Sequence, residues 1–246
     1  MKLSIVIPAY NEEGSIADTV SQLYQKLLIE NIPHEIFVVN DNSKDKTEFI
    51  LMELQRSIPT LRYETNLGAN GFGYAVRYGL ERYTGDCVAI MMADLSDEPH
   101  DLVKFYRTMK NEKWDCVFGN RWTKGGVVYD YPKTKKFINR FANLIVAMVI
   151  GMKYTDTTNA FKLYKRSTMD GLKPFLSPHF NLTLELPLKA IVRGYSYTVV
   201  PNSWRNRKTG VSKLKIREMG SRYFFILLYC IVEKFFARGD FDKKWD

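Results

Sequence analysis

Cysteine and histidine are scarce in this chain: three of each, Cys87, Cys116, Cys230 and His34, His100, His179, all far apart. No pair has zinc-ligand spacing and the odd cysteine count offers no disulfide framework, so neither a structural zinc module nor a secreted disulfide scaffold is expected, and a reducing compartment is. Long apolar runs are missing as well. Leu3–Ile7 stops at Pro8, too short for a signal peptide, and no stretch reaches the roughly 20 apolar residues that a spanning helix needs. The glycine-rich segment Gly68–Gly73 is not G-x-G-x-x-G, and no Gly-Lys-Ser/Thr follows it. A dinucleotide fingerprint and a P-loop are therefore both absent, and a tight turn into a helix is the reading that remains. No internal repeat, low-complexity tract or linker divides the chain.

What is present fits one large α/β domain over residues 1–246, with a 46% hydrophobic fraction ample for a core. Basic residues outnumber acidic ones by 36 to 27, a net charge of +9. Such a balance calls for an anionic partner, whether nucleic acid, acidic lipid or a phosphorylated substrate, without choosing among them.

Short β-branched or apolar runs alternate with helical spacings through the first half. Leu3–Ile7, Ile36–Val39, Leu61–Glu64, Cys87–Met92 and Cys116–Phe118 read as strands. Between them, Ile16/Val20/Leu23/Leu27, Ile50/Leu51/Leu54, Val76/Leu80/Tyr83 and Leu102–Met109 read as helices, the first opening on a loose capping box of Ser15 and Asp18. This alternation predicts a largely parallel sheet with helices on both faces and ligands beyond the strand ends. After residue 125 the pattern changes: a basic amphipathic helix near 133–151, a strand near 160–164, a helix near 181–193, a strand near 195–200, a basic segment 205–217 and an apolar helix near 218–237.

Polar residues gather just after the strands. Pro8-Ala9-Tyr10-Asn11-Glu12 and Asn40-Asp41-Asn42-Ser43 could accept hydrogen bonds from a ribose and a base edge, or could simply make turns. Their occurrence at successive strand ends favours a nucleotide site. In Met91-Met92-Ala93-Asp94-Leu95-Ser96-Asp97 an acid leaves an apolar strand. Asp94, with an oxygen from Ser96, suits a hard divalent cation bridging phosphates, whereas Asp97 reads as a cap for the helix beginning near Pro99.

Taken in order, IVIPAYNE, VVNDNS, GANGFGYAV, MMADLSDEP, GNRWTKGG, DTTNAFKLYKR and GVSKL resemble glycosyltransferase family 2, above all its dolichol-phosphate mannose synthase and polyprenyl-phosphate branch. The resemblance spans most of the chain. It implies a GT-A-like α/β fold with C-terminal amphipathic interface helices, a nucleotide-sugar-binding half over 1–125 and an acceptor and membrane half over 126–246. It implies a GDP- or UDP-sugar donor with Mg²⁺ or Mn²⁺ on its diphosphate. Pro8, Tyr10, Glu12, Asn40, Asp41 and Ala93 would line the donor, Asp94 and Ser96 would hold the metal, Arg121 and Arg140 the acceptor phosphate, and Arg207 and Lys213 the donor diphosphate from a loop that closes. Glu185 takes a supporting role in the site. Lys133, Lys135, Lys136, Lys208 and Lys215 read as solvated surface. The chain departs from the family at Met92, where an acid is common, at Asn40, and at Ser96, where the mannose synthases usually have Gln.

An ionised polyprenyl phosphate attacks without a general base, so the expected reaction is metal-assisted, inverting transfer to that acceptor. Phe137, Ile138, Phe141, Leu144, Ile145, Met148 and Val149 repeat at helical spacing behind Lys133, Lys135, Lys136 and Arg140. They predict peripheral attachment to an anionic surface at the cytoplasmic face of a membrane. Packing into the core or against another copy or a membrane-protein partner is the plainer alternative, above all for Tyr223–Val232. A soluble family member acting on a saccharide, a sugar nucleotidyltransferase and a non-catalytic RNA- or nucleotide-binding protein are the competing classes. No recognised RNA-binding motif appears, and no nucleic-acid partner is expected.

Overall fold

A computed structural model describes residues 1–206, 216–237 and 239–243, with the backbone alone for 216–219. The elements run β1 (Leu3–Ala9), α1 (Ile16–Ile29), β2 (His34–Asn40), α2 (Thr47–Ser57), β3 (Leu61–Thr65), α3 (Phe72–Leu80), β4 (Cys87–Ile90), α4 (Pro99–Glu112) and β5 (Cys116–Asn120). Then follow β6 (Val127–Tyr129), α5 (Lys133–Ile150), β7 (Lys162–Lys165), α6 (Arg166–Gly171), α7 (Leu182–Val192), β8 (Tyr197–Pro201), β9 (Ser203–Arg205) and α8 (Ile216–Phe236). The expected strands and long helices are all present. Ser15 opens α1 without capping it through its side chain; its hydroxyl donates instead to Glu12 Oε2 at 3.2 Å.

Seven strands form one sheet in the order β3-β2-β1-β4-β7-β5-β8. All its pairings are parallel except those of β7, which runs antiparallel between β4 and β5. β1 lies deep in the sheet and is buried along its whole length, which is why it reads as a continuous apolar run rather than an alternating one. Its alternate residues feed two layers. Leu3, Ile5 and Ile7 pack in one cluster with Val20 and Leu23 of α1 and with Leu102 and Phe105 of α4. Val6 packs in the other with Ala75 and Val76 of α3 and Leu186 of α7. Strands from both sides of residue 125 share the sheet, and β6 and β9 add a small parallel ribbon that the sequence pattern did not disclose.

The register brings Ala9 opposite Asn40 and Val6 opposite Ile90, so the C-terminal ends of β1, β2 and β4 open on one edge. Because β7 is reversed, the loop before it, 156–159, emerges at that edge too.

The second half of the chain is joined by buried polar contacts. In α5 the inward stripe is Asn143, Ala147 and Ile150, while Phe137, Ile138, Phe141, Leu144, Ile145, Met148 and Val149 are exposed. Asn143 Oδ1 accepts the Thr157 hydroxyl at 2.5 Å, and Asn139 Nδ2 donates to Thr158 Oγ1 at 2.8 Å. The apolar face of this helix therefore points away from the protein. α8 packs through Ile226 and Cys230 against Leu184 and Leu188 of α7, and Glu233 takes a buried bidentate pair from Arg193 at 2.6 and 2.9 Å. Packing into the body is thus half of the story for α8; Phe224, Phe225, Leu228, Val232, Phe235 and Phe236 stay exposed. Among the described residues, no helix is long and apolar enough to cross a membrane.

The glycine-rich turn leads into α3, as the sequence implied, and is also a tight packing joint. Gly71 has φ 147°, and a Cβ there would lie 2.8 Å from His179 Nδ1. A Cβ on Gly73 would stand 2.4 Å from the Pro178 carbonyl carbon and 2.5 Å from the Ser177 oxygen, both backbone. Gly73→Ala should therefore cost about 1–3 kcal/mol in urea unfolding. Gly220→Ala, on α8 with no atom of another described segment within 4 Å of the new methyl, should be neutral or stabilising by about 0.5–1 kcal/mol.

Candidate active site

The loops after β1 and β2 are laced together. Asn11, at φ 53°, receives no strain relief from glycine but takes its place by accepting the Lys44 amide on Oδ1 at 2.7 Å, while its own N–H donates to Ser43 Oγ at 3.0 Å. The Glu12 amide donates to Thr47 Oγ1 at 2.9 Å. Pro8 is buried at the end of β1, Tyr10 stands exposed just beyond it, and Glu12 is half-buried. Asn40 is fully buried, with its amide spent on Thr65 Oγ1 and the Ser43 N–H, both at 3.2 Å, so it shapes the turn rather than facing a ligand. Asp41 accepts Asn66 Nδ2 at 2.9 Å and the Gly71 amide at 2.7 Å, which ties the base of this loop to the glycine-rich turn.

After β4 the chain folds sharply through Leu95 at φ 59°. Ala93 is buried, and its carbonyl accepts Thr19 Oγ1 of α1 at 3.0 Å. Asp94 is half-buried and accepts the Ser96 amide at 3.1 Å. The Ser96 hydroxyl, on a residue only 2% exposed, has no hydrogen-bond partner among the described residues. A buried hydroxyl normally finds one, so this turn has an oxygen to spare. Asp97 does not cap α4, contrary to the sequence reading: the cap position is Glu98, without a side-chain cap bond. Asp97 is instead 6% exposed and turned back so that Oδ2 accepts the Met92 amide at 3.3 Å. Burial, then the neighbouring Asp94 charge, push its pKa up to about 7. A carboxylate in a strand-end loop was visible in the sequence, but its direction was not.

β9 closes over this turn. The Arg205 amide donates to the Ser96 carbonyl at 3.0 Å, and Trp204 bridges to Asp97. The Ser203 amide donates to Asp101 Oδ2 at 2.7 Å. Arg207 and Lys213 lie outside the described residues; the chain leading to them leaves from this ribbon.

At the end of β5, Arg121 is buried against Asp156. Its amide, Nε and Nη2 donate to the carboxylate at 2.9, 3.0 and 2.7 Å, and Trp122 Nε1 adds a bond at 3.2 Å. Burial works against the Arg121 charge, but Asp156 outweighs it and raises the pKa. The acceptor-phosphate role expected of Arg121 therefore meets a guanidinium already paired. Arg140 and Lys136 differ: both are exposed on α5, with the Arg140 guanidinium carbon 5.5 Å and Lys136 Nζ 5.3 Å from the centre of the Trp122 ring. Neither has an acidic partner among the described residues. Lys136, read from the sequence as solvated surface, stands as close to the indole as Arg140 does. Tyr131 completes the aromatic wall, 5.6 Å from Trp122 and 5.0 Å from Trp204 between ring centres.

Glu185 is fully buried. Its carboxylate accepts the Leu176 and Ser177 amides at 2.8 and 2.7 Å and pairs with Lys189 Nζ at 2.7 Å. It holds the 176–181 loop against α7 and has no open side for a ligand.

The fold is that of the GT-A glycosyltransferases. Glucosyl-3-phosphoglycerate synthase from Mycobacterium tuberculosis, solved with Mn²⁺, uridine diphosphate and phosphoglyceric acid, superposes with a TM-score of 0.71 at 17% identity, over 94% of this chain and 78% of that one. The chain itself belongs to glycosyltransferase family 2: the family model described as Glycosyl transferase family 2 matches residues 4–172. Its relatives fall in the dolichol-phosphate mannose synthase branch. They include the dolichol-phosphate mannosyltransferase of Pyrococcus furiosus, 30% identical over 87% of this chain and 60% of that protein. The polyprenol monophosphomannose synthase of Mycolicibacterium smegmatis is 26% identical over 85% of this chain and 80% of its own length. The chain thus spans only about 60% of the Pyrococcus relative.

Glu185→Ala should lower stability by about 3–5 kcal/mol, because it strands the buried Lys189 charge and two amides. Glu185→Gln, which keeps an acceptor, should cost clearly less in the same urea titration.

Proposed function

We propose that the chain transfers a sugar from a GDP- or UDP-sugar to a polyprenyl phosphate at a membrane surface. The observation that carries this reading is the placement of α5. It sets two cations, Lys136 and Arg140, beside Trp122 at the rim of the strand-end site, and turns Phe137 and Phe141, 73% and 58% exposed, outward on the same helix. A phosphate on an apolar tail has that same division. The names of the Pyrococcus and Mycolicibacterium relatives support the acceptor class.

In this reading residues 1–125 hold the donor. Tyr10 and Glu12 line the nucleoside from the loop after β1, and Asp41 positions that pocket through Gly71 and Asn66. Arg140 and Lys136 hold the acceptor phosphate, and Arg121, fixed by Asp156, keeps Trp122 upright beneath them. Arg207 and Lys213 remain the proposed partners of the donor diphosphate. The phosphate monoester is largely ionised at neutral pH, with a second pKa of about 6, so its oxygen can attack the anomeric carbon in line, displacing the nucleoside diphosphate and inverting that carbon without a base. No histidine or free carboxylate is needed for that step.

The donor set at Asp94 fits Mg²⁺ or Mn²⁺: a half-buried carboxylate and the unsatisfied Ser96 hydroxyl are hard oxygen donors, few in number, as suits a cation that keeps water and phosphate oxygens. Bound there, the cation supplies Lewis-acid neutralisation of the leaving diphosphate. The mycobacterial neighbour solved with Mn²⁺ and uridine diphosphate supports such use in this fold.

Exposed aromatic and aliphatic side chains on α5 and α8 give the protein a means of lying on a bilayer, with Lys133, Lys135 and Lys136 meeting anionic headgroups. In this reading the protein lies peripherally at the cytoplasmic face, where a nucleotide-sugar donor would reach it.

Asp94→Ala should reduce turnover of a nucleotide sugar by roughly 10²–10³-fold or more, with an unchanged circular dichroism spectrum. Near-normal activity in Mn²⁺ would remove Asp94 from the metal site. The pair Phe137→Asp and Phe141→Asp, both on exposed positions, should abolish co-sedimentation with anionic vesicles at low salt while leaving the unfolding midpoint within about 0.5 kcal/mol. Replacing Lys133, Lys135 and Lys136 with Glu should weaken the same binding. No vesicle binding by the wild type, with transfer only to soluble sugars, would instead define a soluble family 2 enzyme.

A further inference from the structure

Lys162 carries a cation into the interior without an acid to meet it. The residue is 1% exposed and forms no ion pair with a described residue. Its Nζ donates instead to backbone oxygens, those of Thr157 at 3.0 Å, of Asn159, and of Thr183 at 3.3 Å. An ammonium has three donors, and three carbonyls converge on it here. Burial pushes its pKa down to about 7, against the pull of the Asp156 charge. Burying a charge is costly, and an apolar side chain would fill the same space without that cost. What the lysine adds is position: it ties separate stretches of backbone to one point.

The stretch it ties is the loop 156–159, whose residues each hold something different. Asp156 holds the Arg121 guanidinium and the Trp122 indole. The Thr157 hydroxyl donates to Asn143 Oδ1 of α5 at 2.5 Å. Thr158 Oγ1 accepts Asn139 Nδ2 at 2.8 Å and Asn143 Nδ2 at 3.1 Å, both from α5. Asn159 Nδ2 donates to the Gly119 carbonyl of β5 and to Asn202 Oδ1, both at 3.1 Å. Lys162 opens β7, an inner strand of the sheet, and Thr183 lies in the first turn of α7. The lysine therefore fastens this loop to the sheet and to α7 at once. Arg140 follows Asn139 directly on α5, and its guanidinium carbon stands 5.5 Å from the centre of the Trp122 ring. Both members of that cation–indole pair depend on the one loop.

We propose that Lys162 is a positioning residue for the acceptor phosphate: through the loop 156–159 it sets the Trp122 indole and the Arg140 guanidinium at their working separation. The inference rests on the reading of Trp122 and α5 as the acceptor-phosphate site. Trp122 and Arg140 come from separate elements, and the loop that Lys162 fixes holds both. Lys162 is too deeply buried to reach a ligand, so it acts only through them. A small displacement of either group would weaken the hold on a phosphate oxygen far more than it would disturb the fold.

Steady-state transfer from GDP- and UDP-sugars to undecaprenyl phosphate and to dolichyl phosphate, in detergent micelles, tests this. Lys162→Met keeps an unbranched side chain of similar length and removes its donors. It should raise the acceptor KM at least about fivefold while the donor KM stays within about twofold. Arg140→Ala should raise the acceptor KM as well, and the double variant should be little worse than Arg140→Ala alone, since residues that act through one contact are not additive. A wild-type acceptor KM in Lys162→Met, an equal rise in both KM values, or full additivity with Arg140→Ala would overturn the proposal. Lys162 would then be a structural cation only, with the acceptor reading of Arg140 intact. Should Lys162→Met fail to fold, Thr158→Val removes the hydroxyl that links the loop to α5: a raised acceptor KM with an unchanged donor KM supports the proposal, and unchanged values for both overturn it. No transfer by the wild type to either lipid from any of these donors would defeat the proposed function and this inference together.

Discussion

Asp156, wholly buried in the loop before β7, gathers the amide and guanidinium of Arg121 and the indole of Trp122 onto one carboxylate. Each partner comes from the end of β5, a neighbouring antiparallel strand. The pair keeps the strand ends at a fixed separation. It also removes from play a positive charge that would otherwise repel Lys136 and Arg140 from the same ring. Tyr154, whose hydroxyl bonds the Gly119 and Asp156 carbonyls at 2.9 and 2.7 Å, closes the floor beneath it. Buried pairs of this kind are weak sources of net stability. Their value here is positional, since a satisfied network in a low dielectric has only one good geometry.

In the proposed reaction, that fixed point would separate the two halves of the site in space. On one side lies the acidic turn at Asp94, anionic and oxygen-rich; on the other lies the rim of α5, cationic and aromatic. A donor diphosphate with its cation and an acceptor phosphate are both anionic, and they would repel each other if held by one patch. In the proposed reading, two patches of opposite sign, bridged by a neutralised Arg121–Asp156 pair, would allow both to be held with the anomeric carbon between them. The inverted amphipathicity of α5 serves the same arrangement. Asn139 and Asn143 anchor the helix inward through Thr157 and Thr158, which frees the apolar face to meet something other than the protein.

Reading the chain alone, the alternation of apolar runs and helical spacings was sufficient for the α/β class, because strands buried on both faces cannot hide their composition. It also located the strand-end loops, and so Asp94 and Arg121, since polar residues directly after an apolar strand have few other places to go. The ordered motifs carried the family, which residues 4–172 bear out.

Direction was what the one-dimensional pattern could not contain. Asp97 looked like a helix cap, and Glu185 like a site acid; the first is folded back under its own turn and the second is locked inward by Lys189 and two amides. Lys136 looked like one of several surface lysines, yet the pitch of α5 and the position of Trp122 single it out from Lys133 and Lys135. Asn40 kept its turn-making character, with no face left open. Spacing along the chain determined which residues reach the strand ends, because a strand has a fixed rise and alternating faces. Which way their side chains point was decided by tertiary structure, because most buried polar atoms settled where a partner brought close by the fold could satisfy them.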